Sequence, residues 1–239
     1  MSGRAGRTHR SLRHRSRLAI ARLVGALVCL VLAVNGCQRV EAPPRAAPSA
    51  AAALPESPVV LFLGTSLTAG YGLPSDEAFP ALVQERIDRA GLDYRVVNAG
   101  VSGDTSAGGL ARIDWLLRAP VAVLVLELGA NDMLRGQDLA ELERNLQEIV
   151  DRTRSAYPAA SLVVAGMRAP PNLGASYVRS FEAVYPALAQ KNDGALLPFI
   201  LEGVAGDSAL NQPDGIHPTA EGHQIVAENL WQVLEPVLR

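Results

Sequence analysis

The 239 residues are enough for one good-sized domain, and 49% of them are apolar, which is ample for a core. Residues 1–36 hold seven arginines and no acid, so the rest of the chain carries 15 basic against 24 acidic residues, a net charge of −9. That balance leaves the body of the protein no electrostatic footprint for nucleic acid.

In chain order, the N-terminus reads as a targeting segment. Arg4 to Arg22 is a positive region, and Leu23 to Val34 is an apolar run of twelve residues. The run is short for a bilayer span and suits a signal sequence. Val34-Asn35-Gly36-Cys37 follows. A small residue before a cysteine at this place resembles the lipobox of bacterial lipoproteins. The resemblance implies a signal peptide over 1–36, lipidation of Cys37, and a membrane-anchored protein facing the periplasm or another extracytoplasmic space. A plain secretory signal, an uncleaved anchor and a basic binding arm are the alternatives. With Cys29 in the removed run, Cys37 is the only cysteine of the mature chain. An internal disulfide, a catalytic thiol and a cysteine–zinc cluster are then excluded. Residues 37–57 are rich in Ala and Pro and lack apolar periodicity, which reads as a tether. At about 3.1 Å per residue when extended, it spans several nanometres.

From residue 58 to 239 apolar runs alternate with amphipathic segments. Strands are expected at Val59–Leu63, Tyr94–Asn98, Val121–Leu128, Ser161–Gly166 and Ala195–Phe199. Helical spacing appears in Leu82, Val83, Arg86 and Ile87; in Leu110, Ile113 and Leu117; in Leu139, Leu142, Leu146, Ile149 and Val150; in Phe181, Val184 and Leu188; and in Ile225, Val226, Leu230, Val233, Leu234 and Val237. Alternating strands and helices, with strands apolar throughout, indicate a parallel sheet covered on both faces. In such open sheets ligands bind beyond the carboxyl ends of the strands.

Polar residues cluster at those ends. Gly64-Thr65-Ser66-Leu67 follows the first strand, Asn98 to Thr105 the second, and Gly129-Ala130-Asn131-Asp132 the third, while Asp214-Gly215-Ile216-His217-Pro218 precedes the last helix. Ser66 could cap a following helix or act as a nucleophile held at the rim of the sheet. His9 and His14 fall in the signal-like segment, so histidine chemistry is left to His217 or His223. Asp214, three residues before His217, can curl back onto Nδ1–H and leave Nε2 free as a base. His223 reads as a surface or boundary helix residue. A serine nucleophile needs a base and oxyanion donors. His217 is the candidate base; the donors are the N–H groups of Ser66 and Gly103 and the amide of Asn131. A turn role is the plain alternative for His217 and for Asn131.

These motifs resemble those of the SGNH hydrolases, the GDSL-type esterase and lipase superfamily. Ser66, Gly103, Asn131 and His217 match its four naming residues, and Asp214 in "DGIHP" matches its aspartate. "GTSLTAGYGL", "NAGVSGDTSAGGLARI", "LELGANDMLRG" and "DGIHPTAEGH" are similar to the bacterial periplasmic thioesterase, lysophospholipase and arylesterase branch. The resemblance implies a three-layer αβα sandwich with a flavodoxin-like, five-stranded parallel sheet. It implies a Ser66–His217–Asp214 triad acting on a small acyl ester or thioester with no cofactor and no metal, and a monomer is expected. It also implies a substrate loop after Asn131, at Leu134 to Leu139 and centred on Leu134, Arg135 and Gly136. The family motif is Gly-Asp-Ser where this chain has Gly-Thr-Ser. Thr65 can accept an N–H bond more weakly than aspartate, so a less rigid loop is expected rather than lost chemistry.

Other sites fail on their own residues. A Gly-x-Ser-x-Gly elbow would need glycine where Thr68 stands, and a P-loop has no lysine, since Lys191 is the only one. Gly70-Tyr71-Gly72 lacks the third glycine of a dinucleotide fingerprint. A zinc site would have only two histidines to draw on. Arg135 and Arg168 read as solvated, with an anionic head group as their functional alternative. Two other functions fit the same motifs: a carbohydrate O-acetylesterase, and a degenerate acyl- or lipid-binding surface lipoprotein.

Overall fold

A computed structural model describes residues 57–239. The signal-like segment, Cys37 and the tether up to residue 56 lie outside the described residues. Five parallel strands form one sheet: β1 (Val59–Gly64), β2 (Arg95–Gly100), β3 (Val121–Glu127), β4 (Ser161–Ala165) and β5 (Ala195–Leu197), in the order β2-β1-β3-β4-β5. This is the flavodoxin-like order. The chain steps one way from β1 to β2 and the other way from β3 onward. The strand ends on either side of that reversal diverge and leave a crevice.

All six residues of β1 are buried. A strand with neighbours on both edges and helices on both faces has no wet side, so its sequence is apolar without alternation. Each large side chain taken fully out of water contributes roughly 1.5–3 kcal/mol. Phe62 meets Phe79 edge-on at 5.8 Å and joins β1 to the helix above it.

Among the described residues there are seven α-helices, in chain order α1 (Ser66–Ala69), α2 (Phe79–Arg89), α3 (Ser106–Leu116), α4 (Ala130–Leu134), α5 (Leu139–Ala156), α6 (Ala175–Lys191) and α7 (Ala220–Leu238). The long ones pack in two groups, α2 with α7 and α3 with α5 and α6, which gives the three layers. Thr65, Thr105, Asp138 and Thr219 cap α1, α3, α5 and α7 with their side-chain oxygens.

The five expected strands and five expected helices are all present. β5 stops at Leu197, two residues before the expected end, because Pro198 has no N–H to continue the ladder. The short helices α1 and α4 carry no readable period at four and five residues. One expectation fails. His223 is not at the surface but 1% exposed, stacked at 5.9 Å on Phe79 and accepting the Phe79 N–H on Nδ1 at 3.1 Å.

Candidate active site

β1 delivers Ser66 to the carboxyl edge of the sheet. Thr65 is extended and caps α1, accepting the Leu67 N–H at 3.4 Å, so Ser66 is the first helical residue. A first-turn N–H has no carbonyl within its own helix. The Ser66 amide is therefore available to a ligand. Ser66 is neither a cap nor part of the strand: the cap is its neighbour.

His217 reaches Ser66 from a turn between β5 and α7. Its Nε2 stands 2.8 Å from Ser66 Oγ, and its Nδ1 stands 2.6 Å from Asp214 Oδ2. Asp214 Oδ1 accepts the N–H of Ile216 at 2.9 Å and of His217 at 3.0 Å. The hydrogen bond from His217, then those two N–H groups, lower the Asp214 carboxyl to about 2. Nδ1 then carries its proton toward a carboxylate, and Nε2 presents a lone pair to the serine. The turn is anchored by Gln212. Its Nε2 donates to Tyr71 O at 2.7 Å and Pro218 O at 2.9 Å, while its N–H meets His217 O at 2.7 Å. The Tyr71 ring lies 4.6 Å from the imidazole.

Gly103 and Asn131 come from the ends of β2 and β3. Gly103 has φ +81°, which suits a residue without Cβ. Its carbonyl accepts Arg135 Nη2 at 2.7 Å. Asn131 Nδ2 donates to Asp104 O at 2.8 Å, which orients the amide and leaves its second proton free. Arg112 ties the two loops together: its Nε meets Asp104 Oδ2 at 2.7 Å and its Nη2 donates to Gly64 O at 3.2 Å. The pair is mostly buried.

Ser66, Asn131 and His217 open into a cleft of about 430 Å³. Its walls are largely apolar, from Met133, Leu134, Met167, Pro170, Phe199 and Leu201. Arg168 stacks on Phe199 at 4.6 Å and pairs with Glu202 at 3.2 Å. Arg135 and Arg168 are both exposed, as read from sequence, and each also holds a protein group at the surface. Of the expected substrate loop, Leu134 lines the cleft and is exposed, whereas Arg135 and Gly136, the latter at φ +63°, are not among its lining residues. No cluster of metal-ligating side chains occurs among the described residues.

The comparison with known families decides what this arrangement belongs to: residues 62–225 match the GDSL-like Lipase/Acylhydrolase family. The chain belongs to that family. It is 44% identical over 180 residues to Esterase TesA of Pseudomonas aeruginosa, covering 75% of this chain and 89% of the relative. It is 40% identical over 181 residues to Thioesterase 1/protease 1/lysophospholipase L1 of Escherichia coli K12, covering 75% and 84%. The crystal structure of TesA superposes with a TM-score of 0.71 at 44% identity, covering 75% of this chain and 99% of that one.

Within this GDSL-like chain one residue of the site escaped the sequence reading. Glu127, the last residue of β3, is 1% exposed and lies under Thr65. Burial pushes its carboxyl above the usual range, against the hydrogen bonds it accepts from Thr65 and Thr68. The Thr65 hydroxyl accepts from Leu67 as expected, and it also donates to this carboxylate at 3.0 Å. Bonded on both sides and buried, Thr65 gives no sign of the looser loop expected from it. A lone acid closing an apolar strand was the available signal.

Proposed function

We propose that this protein is a serine esterase that hydrolyses acyl esters or thioesters through an acyl-enzyme on Ser66. The observation that carries the reading is the continuous Ser66 Oγ, His217 Nε2, His217 Nδ1, Asp214 Oδ2 chain at 2.8 and 2.6 Å, opening on an apolar cleft. Ser66 Oγ attacks the acyl carbonyl as His217 Nε2 takes its proton. Asp214 keeps the imidazole in the required tautomer and stabilises the cation that forms. The N–H groups of Ser66 and Gly103 and the free amide proton of Asn131 meet the oxyanion. Collapse of the tetrahedral adduct expels the alcohol or thiol, which receives the proton from His217. Water then attacks the acyl-enzyme with His217 again as base, releasing the acid and restoring Ser66. No cofactor enters any step.

The cleft favours an acyl chain over a sugar, because its walls offer few polar partners for hydroxyl groups. That supports the esterase, thioesterase and lysophospholipase range of the relatives' names over the carbohydrate O-acetylesterase alternative. A place outside the cytoplasm, with lipidated Cys37 and a tether over 37–57, belongs to the same proposal and rests on the lipobox-like sequence.

A panel of p-nitrophenyl esters, acyl-CoA thioesters, lysophospholipids and acetylated sugars tests the reading. Turnover of the acyl substrates and its loss in Ser66→Ala, with fluorophosphonate labelling of Ser66, is the expected result. Undiminished ester turnover by Ser66→Ala would overturn it. Labelling without turnover of any substrate would favour the degenerate acyl-binding alternative. Mass spectrometry of the mature N-terminus reads out Cys37.

A further inference from the structure

The steps above leave the buried Glu127 without a task, and its surroundings give it one. Four donors converge on its carboxylate. They are the Thr65 N–H at 2.8 Å, the Thr65 hydroxyl at 3.0 Å, the Thr68 hydroxyl at 2.7 Å and the Thr68 N–H at 3.3 Å. All four belong to the two residues that bracket Ser66 and Leu67. No arginine, lysine or histidine pairs with Glu127 among the described residues. The space is shaped for it as well. A methyl group on Gly64 would overlap the Thr68 hydroxyl and lie 2.6 Å from Glu127 Oε2. The glycine that opens the motif is thus needed to let carboxylate and helix turn meet.

An oxyanion donor acts only when it points at the place where charge develops, and a displacement of about 1 Å can cost about 100-fold in rate. The Ser66 amide sits on a four-residue helix, too short to hold its own direction by internal bonds. Something outside α1 has to fix it. Resting on the esterase reading above, we propose that Glu127 is a positioning residue for that reaction. Acting through Thr65 and Thr68, it aims the Ser66 amide and places Ser66 Oγ. Thr65 meets the carboxylate with two donors, its N–H and its hydroxyl, and still caps the helix.

The test is a double-mutant cycle of Glu127→Gln, Thr65→Val and both together, read by p-nitrophenyl butyrate kinetics beside urea unfolding. In Glu127→Gln the amide turns a donor toward groups that are themselves donors. kcat should fall about 10- to 100-fold with KM within about 2-fold. Thr65→Val, which removes the hydroxyl donor to Glu127 and the cap of α1, should lower kcat about 5- to 10-fold at unchanged KM. Because both residues act through the same contact, the combined variant should be little worse than the worse single variant, with kcat well above the product of the single effects. A combined loss equal to that product, or single variants whose kcat losses only track their unfolded fractions, would overturn the proposal. Should Glu127→Gln not fold, Thr68→Val decides. Removing one donor and no volume should lower kcat about 5- to 10-fold at unchanged KM, and an unchanged kcat overturns the proposal. Ser66→Ala runs in parallel. Turnover surviving in Ser66→Ala defeats the esterase reading and this inference with it, whereas an additive cycle beside an inactive Ser66→Ala defeats this inference alone.

Discussion

Two carboxylates face the Ser66 turn, and they live under opposite conditions. Asp214 is at the surface in a turn, and three hydrogen bonds hold its carboxyl down at about 2. Glu127 is enclosed, and burial pushes its carboxyl up although it accepts even more bonds. Hydrogen bonding to the charged form dominates where water still screens the group; the cost of desolvation dominates where it does not. An acid of the first kind can be removed with little harm to the fold. An acid of the second kind has to be matched donor by donor.

The sharpest way to break this contrast is Asp214→Asn. An amide cannot fix the Nδ1–H tautomer, so kcat should drop by about 10,000-fold. Urea unfolding should move far less than for loss of Glu127, because Asp214 is at the surface. A large loss of stability would place Asp214 with Glu127 among the structural acids. Next in size is Asn131→Ala, which removes one oxyanion donor and should cost about 100- to 1,000-fold in kcat, seen in steady-state kinetics at saturating ester.

Burial should govern a base as it governs an acid, and His223 extends the comparison. Desolvation first, then the charge of His217, lowers its imidazole to about 4 from an ordinary 6.5. The folded state keeps it neutral while the unfolded chain takes up a proton below about 6.5. Stability from this residue is therefore complete above pH 6.5 and is lost as pH falls toward 4, by about 3 kcal/mol. Glu127 works in the reverse sense, because a raised carboxyl favours the fold as pH falls. The clean readout is the difference between parent and His223→Gln in urea unfolding at pH 4.5 and 7. The variant should lose most of the acid penalty, and parallel curves would refute the assignment. The smallest effect belongs to Arg168→Met. Its pairing with Glu202 is exposed, so stability should change by no more than about 1 kcal/mol. A short-ester kcat within about 2-fold of the parent would show that the arginine stays outside the chemistry.

Much of this was legible because the relevant signals are local. Val59–Leu63 and Val121–Leu126 are apolar without a break, as strands covered on both faces are. Asp214 and His217 are three residues apart, so their partnership is written in one turn. Ser66 and His217 are 151 residues apart and were joined by elimination, since few histidines remained. Glu127 stayed hidden because its partners lie 59 and 62 residues away and nothing in "VLELG" says which face the acid takes. His223, by contrast, has a local sequence signal for its burial. With Val226, Ala227, Leu230 and Leu234 it continues the apolar stripe of α7 at i, i+3, i+4, i+7 and i+11.

The chain order of the site has a consequence for biosynthesis. Thr65, Ser66 and Glu127 emerge from the ribosome first, and His217 follows 151 residues after Ser66. On the esterase reading, a nascent chain holds the Ser66 hydroxyl with no base beside it until the turn carrying His217 closes through Gln212 onto Tyr71. Under the proposed function, hydrolytic competence thus appears only once the turn carrying Asp214 and His217 has been made and has closed, 151 residues after Ser66.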